Sequence, residues 1–102
     1  MIELNNDNFS AETKSGNTIV DFWAPWCGPC KMLGPIFEEL STEVKNVKFA
    51  KVNVDDNQEI AMTAQVRGIP TMVLYKDGEE LTRIVGFLPK DQLKSKIEEA
   101  FN

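Results

Sequence analysis

The chain has no histidine and only two cysteines. Structural zinc sites take four ligands, usually Cys and His, and iron–sulfur clusters draw on several thiolates. Neither can be assembled from these side chains alone. No apolar run approaches the roughly 20 residues that a membrane-spanning helix requires. The opening, MIELNNDNF, has neither the basic start nor the apolar core of a signal peptide. Basic runs are missing as well: 11 Lys and Arg face 16 Asp and Glu, a net charge of −5 that repels a polyanion and argues against nucleic acid as a partner. There is no repeat, no low-complexity tract and no linker. These absences point to a cytoplasmic protein, a setting in which thiols stay reduced and a lasting structural disulfide is out of place.

The 102 residues suit one domain. A chain of this size buries roughly two-thirds of the surface its unfolded form exposes, so it needs no metal or disulfide in order to fold. Its periodicity alternates between strand and helix. Thr18–Trp23 is a β-branched and aromatic run after Gly16-Asn17 and reads as a largely buried strand. From Cys30 onward Leu33, Ile36, Phe37, Leu40 and Val44 recur at helical spacing. Pro35 lies inside that helix, where the lost backbone donor predicts a kink. Val47–Val54 reads as a second strand. Asp56 with Glu59 three residues on predicts a capping box and a short helix to about Ala64. Thr71–Tyr75 and Leu81–Val85 flank Asp77-Gly78, a hairpin signal. Pro89 suits a first helical position, and Leu93, Ile97, Ala100 and Phe101 form the apolar face of a last helix. Ile2–Leu4 reads as a short strand, with Asp7 as cap of a helix to about Lys14. The order β-α-β-α-β-α-β-β-α predicts an α/β fold: a mixed central sheet of about five strands, with about four helices on its two faces.

Both cysteines fall in WAPWCGPCKMLGP, with Gly28 and Pro29 between them. A staple closing so short a loop would restrict the unfolded chain little. Redox exchange fits better. Three residues apart in helical geometry, the two Cα atoms lie about 5 Å from one another, within disulfide range. Pro29 suits a helix entry and stiffens the loop. Cys27 precedes the helix, at the positive end of its dipole and with Lys31 nearby, which lowers a thiol pKa. The thiolate is the reacting species. Cys27 is therefore read as the attacking nucleophile, and Cys30, one turn deeper and less exposed, as the resolving thiol.

WCGPCK, Trp26–Lys31, resembles the active-site motif of the thioredoxin family, itself the standard instance of a lowered Cys-X-X-Cys pKa. The likeness extends over nearly the whole chain: VDFWAPWCGPCKMLGP from Val20, FAKVNVDDN from Phe49, VRGIPT from Val66, the KDGE turn, and VGFLPKDQL. Two departures stand out. Ala64 and Gln65 occupy places where an aromatic and a small or polar residue are usual, and Pro89 sits where Ser is common.

The resemblance implies reduction of disulfides in other proteins, recycling by a thioredoxin reductase, no bound cofactor or metal, and a monomer. It also assigns roles that the residues alone leave open. Asp21 would by itself read as an edge carboxylate reaching water; the resemblance makes it a buried acid that takes the proton of Cys30. Lys51 would be a solvated strand lysine; the resemblance makes it the partner that tunes Asp21. Ile69–Pro70 would default to trans; the resemblance implies a cis bond facing the disulfide, with backbone free to pair with an extended substrate. Trp26 and Gly86 complete that docking surface, Gly28, Pro29 and Pro35 set the geometry of the pair, and Trp23 gives support. Two rival readings are a binding module that uses the fold as an adaptor, with its redox chemistry incidental, and glutathione-linked exchange.

Overall fold

A computed structural model describes residues 1–102. Its elements are β1 (Ile2–Leu4), α1 (Phe9–Thr13), β2 (Asn17–Trp23), α2 (Gly28–Glu43), β3 (Lys48–Asn53), α3 (Gln58–Thr63), β4 (Thr71–Lys76), β5 (Glu79–Val85) and α4 (Lys90–Ala100). The order matches the sequence pattern. The five strands form one sheet in the order β1-β3-β2-β4-β5. β1, β3 and β2 run parallel, joined by helical crossovers, while β4 pairs antiparallel with β2 and β5 with β4. The antiparallel part thus begins beside the central strand rather than at an edge.

Side-chain alternation sends each inner strand to two cores. On one face Ile19, Phe49, Met72 and Leu74 pack with Leu33, Phe37 and Leu40 of α2 and Leu93 and Ile97 of α4. On the other, Val20, Phe22, Ala50, Val52, Val73 and Tyr75 pack with Ile60 of α3, and Phe9 of α1 lies against them. Ring centroids stand 5.0 Å apart for Phe37–Phe49 and 5.7 Å for Phe9–Tyr75. Each fully buried large apolar side chain contributes about 1.5–3 kcal/mol. Asp21, Trp23 and Lys51 share the α2/α4 side by the same alternation, and Asp21 and Lys51 are register partners.

The hairpin signal resolves into a two-residue turn: β4 and β5 run directly up to Asp77 (φ 50°) and Gly78 (φ 88°). Both residues in the left-handed region give the turn whose twist suits a hairpin. Asp77 also fastens this turn to the start of β2, since its carboxylate accepts from the Gly16 N–H at 2.8 Å. A bulge at Leu81 lies where the register steps from Leu74–Thr82 to Tyr75–Glu80.

Helix starts differ from expectation by one position. Asn8, not Asp7, occupies the cap of α1, and Asn5 accepts the Asp7 and Asn8 N–H groups. At α3 the cap position is Asn57, and no Asp56–Glu59 capping box forms. The distant Asn6 takes its place: its side chain accepts the Ile60 N–H at 3.2 Å, and its own N–H donates to the side chain of the cap residue Asn57 at 3.1 Å. One orphan donor of this helix start, the Ile60 N–H, is thus satisfied across the fold instead of locally. Pro89 likewise stands one place before α4. α2 starts at Gly28 and runs on through Pro35 to Glu43.

α3 ends in a Schellman arrangement, with Val66 N–H donating to Ala61 O at 2.9 Å and Gln65 N–H to Met62 O at 3.0 Å. Its left-handed residue is Gln65, φ 56°, where glycine is usual. A side chain in that region costs about 1–2 kcal/mol, and glycine's greater freedom when unfolded offsets about 0.5–1 of it. Gln65→Gly should therefore raise stability by about 0.5–1 kcal/mol in denaturant unfolding. An unchanged or lower midpoint would show that the Gln65 conformation costs nothing.

Candidate functional site

The site lies at the carboxyl ends of β2 and β3, which the parallel pairing Trp23–Asn53 brings side by side. Beyond β2 the chain turns at Ala24–Trp26 and enters α2. Cys27 sits at the cap position with extended backbone (φ −87°, ψ 115°), and its Sγ accepts the Cys30 N–H at 3.2 Å. Gly28 and Pro29 fill the first two helical places, where proline's missing donor is harmless. Cys27 and Cys30 are joined as a disulfide with Cα atoms 5.2 Å apart, close to the separation that spacing predicts. Both are buried, Cys27 at 5% and Cys30 at 3% exposure. The expected contrast in exposure is thus very small, and the two sulfurs differ chiefly in place: Cys27 at the helix mouth, Cys30 inside the first turn. Gly28 is exposed, and a Cβ on it would meet nothing within 4 Å, so no neighbour demands a glycine there. Pro35 is exposed inside α2.

Across from the disulfide, the Ile69–Pro70 bond is cis, and Ile69 O lies 3.8 Å from Cys27 Sγ. Pro70 is buried; its carbonyl accepts the Gly86 N–H at 2.8 Å. Gly86 needs to be glycine, since its φ is +94°. Thr71 Oγ1 donates to Gly68 O at 2.5 Å and closes the turn before β4. The N–H groups of Arg67, Gly68 and Ile69 have no backbone partner within the chain.

Trp26 is 68% exposed, an unusual place for a large aromatic ring. It is nevertheless fixed, because its Nε1–H donates to Asp55 Oδ2 at 2.9 Å. The periodicity of the sequence does not reveal Asp55. Its signal is topological: it follows β3, whose end must meet the end of β2. Trp26, Val54, Ala61, Val66 and Ile69 are apolar walls of a cleft of about 380 Å³ beside the disulfide, and Arg67 and Gly68 complete it. A second recess of about 410 Å³ lies between α1, α3 and β5; neither hollow has a cysteine in its lining, but the first shares Ile69 and Val54 with the surroundings of the disulfide.

Asp21 is 1% exposed and its Oδ1 has no hydrogen-bond partner. Burial pushes its pKa up to about 7, and the positive charge of Lys51 pulls the other way. Lys51 forms no ion pair with it; the ammonium lies 4.4 Å from the centroid of the Trp23 ring. Lys51 therefore acts on Asp21 through its field, and Trp23 holds it in place. No hydrogen bond joins Asp21 to either cysteine. A buried carboxyl group with its pKa raised to about 7, on the face that α2 covers, has the chemistry to exchange protons near neutrality, and the Cys27–Cys30 pair at the start of α2 has the chemistry to exchange electrons. No cluster of three or more potential metal ligands exists, and no helix is long and apolar enough to cross a membrane.

Comparison with known proteins agrees with this arrangement. The family model described as Thioredoxin matches residues 1–99. A thioredoxin of Bacillus subtilis (strain 168) is 46% identical over 98 residues, covering 95% of this chain and 94% of that protein. A thioredoxin of Chlamydia pneumoniae is 45% identical over 94 residues, 92% of each. Among solved structures, a mutant thioredoxin from Halobacterium salinarum NRC-1 superposes with a TM-score of 0.90 at 36% identity, covering 99% of this chain and 90% of that one.

Proposed function

Because the chain belongs to the thioredoxin family of thiol–disulfide oxidoreductases, we propose that Cys27 and Cys30 reduce disulfides in other proteins in two ordered steps. The observation that carries the order is the position of Cys27 at the mouth of α2, its sulfur accepting a backbone N–H. That contact and the helix dipole favour the thiolate.

In the first step the Cys27 thiolate attacks one sulfur of the target disulfide. The Cys27–target bond forms, the target S–S bond breaks, and the other target sulfur leaves as a thiolate that takes up a proton. In the second step Asp21 removes the Cys30 proton, through water since no direct bond links them, and the Cys30 thiolate attacks Cys27 Sγ. The mixed disulfide breaks, the second target thiol leaves, and Cys27–Cys30 is formed. Two electrons have passed to the target, and no group beyond the two sulfurs carries them. Lys51 limits how far burial raises the Asp21 pKa.

The target docks as an extended segment. The free N–H groups at Arg67–Ile69 offer strand-like pairing, the Trp26 cleft takes an apolar side chain, and the missing side chain at Gly28 keeps the approach to Cys27 open. Gly86 supports Pro70 from behind, while Pro29 and Pro35 shape the helix that presents the pair. A thioredoxin reductase restores the dithiol, and the protein works as a monomer in the cytoplasm, with neither nucleic acid nor membrane as partner.

The test is a Cys30→Ser variant. It retains the first step and lacks the second, so it should accumulate Cys27-linked mixed disulfides with proteins in a lysate, released by dithiothreitol. Recovery of no such adducts would reject the assigned roles.

A further inference from the structure

We propose that Arg83, outside the motif and on the edge strand β5, is a positioning residue for this reaction: it fixes the segment carrying Ile69 and Pro70 by gripping the end of α3. The inference rests on the oxidoreductase reading above and extends it to a residue remote from the sulfurs.

Arg83 Nη2 donates to Ala64 O at 2.8 Å, and Nη1 to Gln65 O at 3.3 Å. Its Nε and Nη2 also donate to the two oxygens of Glu80, each at 2.6 Å. Both carbonyls belong to the end of α3, where they have no helical partner. The guanidinium plane cannot turn, because Glu80 holds it as a two-pronged fork. An exposed ion pair alone contributes little; here it serves to aim the remaining N–H groups. Glu80 lies beside the β-bulge at Leu81, which sets its spacing from Arg83.

The end of α3 needs such a tether. Ala64 is small, and the recess of about 410 Å³ next to it is lined in part by Ala64, Gln65, Tyr75, Glu80 and Arg83. Ile60, Ala64 and Val66 pack on the core beside it, and the polar fork adds a hold on the Ala64 and Gln65 carbonyls at the rim of that space. Directly beyond come Val66, Arg67, Gly68, Ile69 and Pro70, which end at another anchor from the same strand: the Gly86 N–H on Pro70 O at 2.8 Å. The docking segment thus spans two attachments that both originate from β5 and its end, with Arg83 at one and Gly86 at the other. A segment pre-set for its partner loses less entropy on binding. Arg83 therefore bears on target affinity, not on the sulfur chemistry.

The experiment mixes pre-reduced protein with excess insulin in a stopped-flow instrument and follows tryptophan fluorescence, giving a half-saturating concentration and a limiting rate. In Arg83→Met the half-saturating concentration should rise about five-fold while the limiting rate stays close to that of the parent, the signature of lost binding without lost chemistry. Arg83→Lys, which can reach one carbonyl but not both, should fall between the two. Amide exchange at Gln65 and Val66, whose N–H groups are hydrogen-bonded to Met62 O and Ala61 O at the gripped end of α3, should quicken in Arg83→Met, with that of Leu33 in α2 unaltered. A half-saturating concentration equal to the parent's, or a rate and affinity that fall together with the folded fraction, would overturn the proposal. If Arg83→Met does not fold, Glu80→Gln decides: a rise of about two-fold supports the fork, and no rise rejects it. Failure of the parent protein to reduce insulin would reject the oxidoreductase reading itself, a distinct outcome.

Discussion

Cys27→Ser should reduce disulfide-reducing turnover by at least about three orders of magnitude while leaving the fold intact. The two halves of this expectation come from the same position. Cys27 is the cap residue of α2, and its sulfur accepts the Cys30 N–H. Serine is among the best cap residues, so its hydroxyl can take over that acceptor role at little cost to the helix. It cannot take over the chemistry, because a hydroxyl does not ionise near neutrality and oxygen does not replace sulfur in disulfide exchange. The measurement is insulin reduction with dithiothreitol as donor, alongside thermal unfolding compared with the dithiol form of the parent. A folded Cys27→Ser protein that still reduces insulin at a tenth of the parent rate or better would remove Cys27 from the nucleophile's place. If Cys27→Ser captured target proteins covalently and Cys30→Ser did not, the two roles would be reversed. A Cys27→Ser, Cys30→Ser double variant with parent activity would return the chain to the adaptor reading.

The parts of this site legible in the sequence are those governed by local rules. Cys27-Gly28-Pro29-Cys30 announces a helix entry, and the 3.6-residue stripe after it places the pair on that helix. Asp77-Gly78 announces the hairpin that makes β5 the partner of β4. Position along the chain says much less about what crosses it. Asp56 and Glu59 satisfy the spacing of a capping box, yet the α3 start is served by Asn6, 54 positions from Ile60. Asp55 on the Trp26 ring and Arg83 on the Ala64 carbonyl are links of 29 and 19 positions, the first between side chains and the second from a side chain to the backbone, with no periodic relation. The burial of Asp21 is an intermediate case. Alternation puts it on the α2 side, but only the sheet order, with β3 and β4 flanking β2, closes off the water an edge carboxylate would reach. The cis bond at Pro70 is legible through family likeness alone, since nothing local in Gly68-Ile69-Pro70 outweighs the trans preference.

Asp21 carries the other large effect, and its sign is set by burial. In the unfolded chain its pKa is 3.8; in the folded protein it is pushed up to about 7. Between these values the folded protein holds a proton that the unfolded chain has released. Stability must therefore fall as pH rises from about 4 to 7 and level off above. With about three pH units at about 1.4 kcal/mol each, the charged carboxylate costs the fold about 4 kcal/mol at pH 8. Asp21→Asn keeps the shape of the protonated acid and cannot ionise. Chemical unfolding of the oxidised protein should show the variant losing this fall between pH 4 and 8, and ending more stable than the parent at pH 8. A buried amide with an unpaired donor takes back about 1–3 kcal/mol, so the change in slope is the sharper observable. Resolution of a pre-formed mixed disulfide should move oppositely, slowing on the order of 100-fold in Asp21→Asn and losing its inflection near pH 7, because Cys30 has lost its proton acceptor. A stability difference between Asp21→Asn and the parent that stayed constant across this range would mean that Asp21 does not titrate near neutrality, and the proton acceptor for Cys30 would have to be sought elsewhere.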